Sequence, residues 1–165
     1  MIEFGPEPQA DDDDEAPPRD KPLSARQRAR RAAMQACYQW LQSDSETGDL
    51  ILQFDRAGYL KGADRGYFRK TVRFCLDDTE ALSPHFEPFL DRPADQLDPV
   101  EHAILIVATY ELLHRLEIPY RVVLNEALDI AREFGAEDGH RFVNGVLDKV
   151  ARQTRSVEVG MPRSG

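Results

Sequence analysis

From residue 25 onward, apolar side chains recur three and four positions apart, the spacing that lines them up on one face of an α-helix. The first run, about 25–42, aligns Ala29, Ala33, Ala36, Cys37, Trp40 and Leu41. Ser24 and Gln27 before it have capping-box spacing, in which a hydroxyl and an amide satisfy backbone groups left over at a helix start. A short helix over about 48–57 carries Leu50, Ile51 and Phe54, and a longer one over about 64–82 carries Phe68, Val72, Cys75, Leu76, Thr79 and Leu82. Ser83 then reads as the cap, and Pro84 as a first-turn residue, of a small helix ending near Leu90. The strongest start signal is 98-DPVE-101: Asp98 can cap, Pro99 suits the first helical position and Glu101 the third. That helix runs through Ile104, Leu105, Ala108, Tyr110, Leu112 and Leu113 to about Leu116. Another, about 120–134, is closed by Gly135 as a left-handed C-terminal residue. The last, about 139–152, turns Phe142, Val143, Val146, Leu147 and Val150 to the core. No stretch shows sustained period-two alternation bounded by hairpin turns, and no internal repeat is present. The pattern predicts an all-α bundle of about seven helices.

Composition changes that picture at the ends. Residues 1–23 combine a DDDDE run with five prolines, too little apolar surface to offset the entropy of ordering, and read as a disordered acidic tail. Residues 24–152 form the helical domain, and 153–165 a flexible C-terminal tail. The formal net charge is −9, of which residues 1–25 hold −6, so the folded body is close to balanced. The N-terminus lacks the basic-then-apolar pattern of a secretory leader, and no apolar run approaches the ~18–20 residues of a membrane span. The expected setting is the cytoplasm, without membrane attachment. There, Cys37 and Cys75, both within apolar helical runs, read as buried free thiols.

Catalytic chemistry finds no support. His85, His102, His114 and His140 fall on different predicted elements without metal-ligand spacing. Phosphate-cradling glycine loops are absent, as is a parallel sheet to carry one. The carboxylate pairs Asp77/Asp78 and Glu126/Asp129 read as solvated faces or caps. No catalytic residue, metal or cofactor is expected. What does stand out is 24-SARQRARRAAMQACYQW-40, where Arg26, Arg28, Arg30 and Arg31 crowd a helix start. Cations there oppose the helix dipole, by roughly 0.3–1 kcal/mol each when exposed. Guanidinium groups fork onto phosphate oxygens and stack on bases, so the run points to RNA. The competing reading pairs these arginines with the acidic tail, or has them only keep a helix end soluble.

The same stretch resembles the opening helix of the NusB family of bacterial transcription antitermination factors. A second match, 119-PYRVVLNEALDIAREFGAEDGHRFVNGVLDKVA-151, is similar to that family's C-terminal pattern almost throughout. Two further segments, 67-YFRKTV and 97-LDPVEHAILIVATYELL-113, fit in order between them, so the likeness covers roughly residues 24 to 152. It implies a seven-helix bundle and a function without catalysis. Family members bind the ribosomal protein that doubles as NusE, capture single-stranded boxA RNA, especially in ribosomal RNA transcripts, and join other Nus factors and RNA polymerase in an assembly that resists termination.

Carried over residue by residue, the resemblance puts Arg26, Arg28 and Arg30 at the family's basic positions, with Gln27 where another arginine often occurs and Arg31 as a compensating charge. Asp138, Arg141 and Phe142 match positions used near RNA, although Phe142 is also in register with the core face. Tyr38 and Glu101 match positions on the partner and RNA surfaces, and Glu101 doubles as the third residue of a cap. Asn125 and Asn144 are expected as buried structural amides. Ile106 departs from a position that is basic in some relatives, so no contact is transferred there. The acidic tail, outside the resemblance, is expected either to fold back on the arginines in competition with RNA or to act as a solvated extension. Two alternatives stand beside this reading. One is an accessory domain of the kind found in ribosomal RNA methyltransferases, for which this chain lacks the cofactor domain. The other is a purely protein-binding helical module, or a homodimer that hides its RNA surface.

Overall fold

The computed structural model describes residues 21–160, and the acidic run lies outside them. Eight α-helices, and no strand, occur among the described residues. They are α1 (Ala25–Gln42), α2 (Thr47–Arg56), α3 (Arg65–Asp77), α4 (Thr79–Phe86), α5 (Pro99–His114), α6 (Tyr120–Phe134), α7 (Gly139–Thr154) and the short α8 (Ser156–Val159). Two 3-10 turns, Glu87–Phe89 and Ala94–Gln96, lead from α4 to α5.

The bundle is organised around α5. Its run from Ala103 to Leu112 is buried on every side, the pattern expected of a helix that is apolar all round. It packs against α1, α3, α4, α6 and α7. Fully burying one Leu or Ile contributes about 1.5–3 kcal/mol, so Ile104, Leu105, Ile106 and Leu112 make this helix the centre of the core. The start signal works as the spacing predicts: Asp98 accepts from the backbone N–H groups of Val100 (2.9 Å) and Glu101 (3.3 Å). At α1 both halves of the capping box form. Gln27 N donates to Ser24 Oγ at 3.1 Å, and Ser24 N donates to the Gln27 amide oxygen at 2.8 Å.

Four local expectations are corrected. The helix expected over 64–82 breaks at Asp78, whose backbone leaves helical geometry at φ −122° and ψ 35°, into α3 and α4; the Thr79 hydroxyl donates back to the carbonyls of Cys75 and Leu76 at the end of α3. Pro84 therefore sits inside α4, and Ser83 donates to the Thr79 carbonyl at 3.1 Å instead of capping a new helix. Gly135 ends α6 with extended backbone, φ −81° and ψ 172°, not in the left-handed region. Its reason is space: a Cβ there would stand 2.6 Å from the Ala131 carbonyl oxygen.

The fourth correction concerns the C-terminus, expected to be a tail from residue 153. Helix α7 instead continues to Thr154, α8 follows, and Arg155 between them is only 6% exposed. Its guanidinium donates to the carbonyls of Leu112 (2.7 Å), Ile118 (3.0 Å), Arg115 (3.0 Å) and Glu111 (3.2 Å). These lie at and just beyond the C-terminal end of α5; the carbonyls of Glu111 and Arg115 also accept from the backbone N–H groups of Arg115 and Ile118, at 3.0 Å each. Arg155 also pairs with Glu158, whose other oxygen accepts from Tyr120 N at the start of α6. Cys37 and Cys75 are buried and free, and burial pushes the Cys75 thiol well above its ordinary value, helped by a hydrogen bond with Cys37.

Candidate nucleic-acid interface

Each arginine at the start of α1 has a different fate. Arg30 is 4% exposed, with its fork on Glu111 of α5: Nε lies 2.8 and 3.1 Å from the two carboxylate oxygens, and Nη2 lies 3.0 Å from one of them. Glu126 of α6 stands 3.7 Å from its remaining nitrogen. Burial alone would lower the Arg30 pKa, but the charge and hydrogen bonds of Glu111, with Tyr67 and Glu126 nearby, hold it above its ordinary value. The Tyr67 hydroxyl of α3 donates to the same Glu111 carboxylate, and burial together with Glu111 pushes that phenol well up. Four helices are thus tied at one buried point. Arg30 is corrected from an RNA contact to a buried anchor, because nothing in solution can reach it.

The neighbours of Arg30 are more open. Arg31 pairs with Glu133 near the end of α6 and lies 5.8 Å from the centre of the Phe134 ring. Gln27, besides capping, donates its amide to Glu126 at 2.7 Å. Arg26 lies over the Tyr67 ring, 4.2 Å from its centre, with Asp64 at 4.0 Å. Arg115 lies over the same ring at 4.8 Å. Arg28 is exposed, its stem laid across Gly62 in the turn before α3. Gly62 has φ +75°, a conformation that favours glycine, and a Cβ there would only touch Arg28 Cδ at an ordinary 3.4 Å. Of the five N-terminal candidates, then, Arg26 and Arg28 present guanidinium surface to solvent, while Gln27 and Arg31 are partly engaged.

The second group gathers where α5 and α7 begin. Asp138 has φ 63°, a left-handed turn that aspartate tolerates better than most residues, and it sits immediately before α7. Asp138 and Arg141 are exposed and 3.8 Å apart. Phe142 is half-buried: one side packs on the core, and the Arg92 guanidinium lies 5.9 Å from its ring centre. Both readings of Phe142, core residue and edge aromatic, describe part of its surface.

Glu101 is 8% exposed, with its carboxyl against Gly139, where a Cβ would stand 3.0 Å from the carboxyl carbon. Asp98 makes the cap to α5. Burial, then Asp98 and Asp91, raise the Glu101 pKa to about 7, against the opposing pull of Arg92. Tyr38 is partly exposed and packs against the core. Asn125 and Asn144, expected as buried amides, are exposed, since each follows by one residue, a turn of ~100°, a core position at Leu124 or Val143.

The two groups do not converge on one spot. Arg30 meets α5 at Glu111 and Gly139 meets it at Glu101, ten residues or about 15 Å of helix apart. A compact ligand would not touch both; an extended chain would. Sequence reasoning missed Glu111, Tyr67 and Arg92. A signal existed for Glu111: one carboxylate inside the apolar run 103-AILIVATYELL-113 must find a cation. None existed for Arg92, which reaches Phe142 from a linker. Among the described residues, no cluster of His, Cys, Asp or Glu could hold a metal ion, and no helix is long and apolar enough to cross a membrane.

Residues 27–152 match the model of the NusB family. The chain is 44% identical over 152 residues to the transcription antitermination protein NusB of Ralstonia nicotianae, covering 92% of this chain and 98% of that protein. It is 47% identical over 132 residues to the protein of the same name from Pasteurella multocida, covering 80% and 92%. Its backbone superposes on T. maritima NusB with a TM-score of 0.68 at 27% identity, covering 79% of this chain and 94% of that one.

Proposed function

Because the chain belongs to the NusB family of transcription antitermination factors, we propose that it works as the RNA-capturing member of an antitermination complex in the cytoplasm. It binds single-stranded boxA RNA together with the ribosomal protein NusE, especially on ribosomal RNA transcripts. Other Nus factors and RNA polymerase complete the assembly, which supports processive transcription and ribosomal RNA maturation. The observation that carries this reading is that Arg26 and Arg28 keep solvent-facing guanidinium surface on a chain of net charge −9. Interior needs explain Arg30 fully and Arg31 in part; they do not explain Arg28.

Arg141 and the exposed side of Phe142 supply a second contact, one charge and one stacking face. The extended separation of the two groups suits a single strand lying across the bundle. Tyr38 and the neighbourhood of Glu101 provide the surface for the ribosomal partner. Because Glu101 is nearly buried, it acts there mainly by holding the start of α7 in place.

The test is fluorescence anisotropy with labelled boxA RNA and a scrambled control, each with and without the ribosomal partner. Sequence-selective binding, tightened by the partner, is expected. In an Arg26→Ala/Arg28→Ala variant the slope of log affinity against log salt becomes shallower by about 0.7 for each phosphate no longer neutralised. Equal binding of both RNAs, with no partner effect, would defeat the reading.

A further inference from the structure

An open cleft of about 210 Å³ lies beside α1, away from the Arg26–Tyr67 stack. Arg28 and Arg31, three residues apart on α1, form one wall; Tyr59 and Lys61, from the connection between α2 and α3, form another; Glu133 and Phe134, from the end of α6, close the third side. Three cations thus face one carboxylate, and two aromatic rings stand among them. From this arrangement we infer that the cleft is a phosphate-and-base subsite, which takes a nucleotide of the bound single-stranded RNA flanking the recognised element. The inference rests on the RNA-binding reading above and adds a site to it.

Arg31 carries the argument furthest. Its side chain is only 11% exposed, and one terminal nitrogen is held by Glu133, which fixes the plane of the guanidinium. Its Nε and its other terminal nitrogen are buried and have no hydrogen-bond partner. An interior guanidinium normally has its N–H groups satisfied, since each was stripped of water on folding. A phosphate oxygen that displaces the packing over these two nitrogens supplies the missing acceptor, and the Glu133 pair orients the fork for it.

Arg28, on the same wall as Arg31, and Lys61, on the next, then neutralise the same group. The Arg28 stem runs over Gly62, whose φ of +75° makes the turn beneath it. Tyr59 leans on Phe54, with ring centres 4.8 Å apart, so its ring is braced from the core side and can offer the cleft an edge or face to a base. Phe134 packs against the core in the same way. Aromatic rings beside forked cations are the combination that single-strand binders use without reading sequence.

The experiment compares the full chain with Lys61→Glu, Arg31→Gln and the charge-matched control Lys149→Glu on α7, with folding of each followed by circular dichroism. The probe is labelled boxA RNA carrying flanking nucleotides on both sides, and a second probe trimmed to the element itself. Lys61→Glu is expected to weaken binding of the flanked RNA about tenfold and to flatten its salt slope by about 0.7 for each phosphate set free, with the trimmed RNA and Lys149→Glu little affected. Arg31→Gln is expected to act in the same direction with Lys61 intact. If the unmodified chain binds flanked RNA but both cleft variants bind it equally well with the same slope, the subsite is refuted and the RNA-binding reading survives. No binding by the unmodified chain removes both. Tighter binding in the cleft variants would mean that the acidic segment 1–23 occupies the cleft in place of RNA, and would also overturn the inference.

Discussion

Arg30 and Arg155 are both buried arginines that fasten other helices to α5, yet they do so by different chemistry. Arg30 reaches a side chain, the Glu111 carboxylate, and completes a network with Tyr67 and Glu126. Arg155 reaches mainly backbone, collecting four carbonyls at the C-terminal end of the same helix and its following turn. The first is a charge pair whose partner can be exchanged for another residue type. The second substitutes for a C-terminal cap, and no substitution of a neighbouring side chain can replace those carbonyls. One helix is therefore held twice, once through its sequence and once through its geometry.

The largest effect is expected at Arg155. Arg155→Met keeps the apolar stem but leaves the carbonyls of Leu112 and Ile118 without the guanidinium donor, takes the second donor from those of Glu111 and Arg115, which keep Arg115 N and Ile118 N, and frees Glu158 from its partner. A loss of about 3–5 kcal/mol is expected, combining unsatisfied buried acceptors with a broken pair. Urea denaturation measures it, and a loss below about 1 kcal/mol would show that water reaches those carbonyls.

Arg30→Met should cost somewhat less, about 3 kcal/mol, because Tyr67 continues to donate to Glu111. The comparison sharpens in the double variant Arg30→Met/Glu111→Leu. Replacing a buried pair by apolar residues of similar volume is often neutral or stabilising, so most of the loss should be recovered. No second substitution should rescue Arg155→Met in this way. Equal rescue of both would erase the distinction between the two anchors.

Glu101 tests a third kind of burial, a carboxyl with no cation in direct contact. Its folded pKa of about 7 lies above the ordinary 4.5, so between those values the folded chain keeps a proton that the unfolded chain has released. Stability therefore falls as pH rises from about 4.5 to about 7, and the penalty is complete above that window. Glu101→Gln carries no such penalty. It should match the unmodified chain near pH 4.5 and exceed it by about 2 kcal/mol at pH 8, less than the full shift implies because Asp98 and Asp91 are screened by solvent. Thermal melts across the window read this directly; a Gln variant less stable at pH 8 would mean that the carboxylate is paired in solution.

These anchors also mark where the sequence was legible. Helix α6 follows from apolar spacing, and the starts of α1 and α5 from capping residues within three positions of one another as well, because such signals are local. The break at Asp78 was not legible: Thr79 continues the apolar face, and the break is a change of backbone angles at Asp78 that no side-chain pattern marks. Arg155 was missed because its partners are carbonyls, which every residue has and no pattern displays. The arginine cluster was legible as a cluster, but its division was not. Whether an arginine on α1 meets Glu111, Glu133, Tyr67 or water depends on helices 41 to 102 residues away in sequence, from Arg26 to Tyr67 and from Arg31 to Glu133. Resemblance to the family could not say that Arg30 points inward.

The smallest effect on stability, and the most informative for function, is expected at Arg28. It is exposed, so Arg28→Ala should change unfolding free energy by no more than about 0.5 kcal/mol, as for most surface substitutions. Its charge also sits in the first turn of α1, where cations oppose the helix dipole, so removal could even stabilise slightly. Arg30→Met has the opposite profile: a large stability loss, and RNA affinity per folded molecule nearly unchanged. Measured together, the two variants separate arginines that build the bundle from those that face outward. If Arg28→Ala leaves affinity and salt slope untouched while Arg30→Met abolishes binding in protein that is still folded, the assignment of inside and outside on α1 is reversed. The RNA would then have to reach the network at Glu111, which the closed packing of α1, α3, α5 and α6 around Arg30 does not allow.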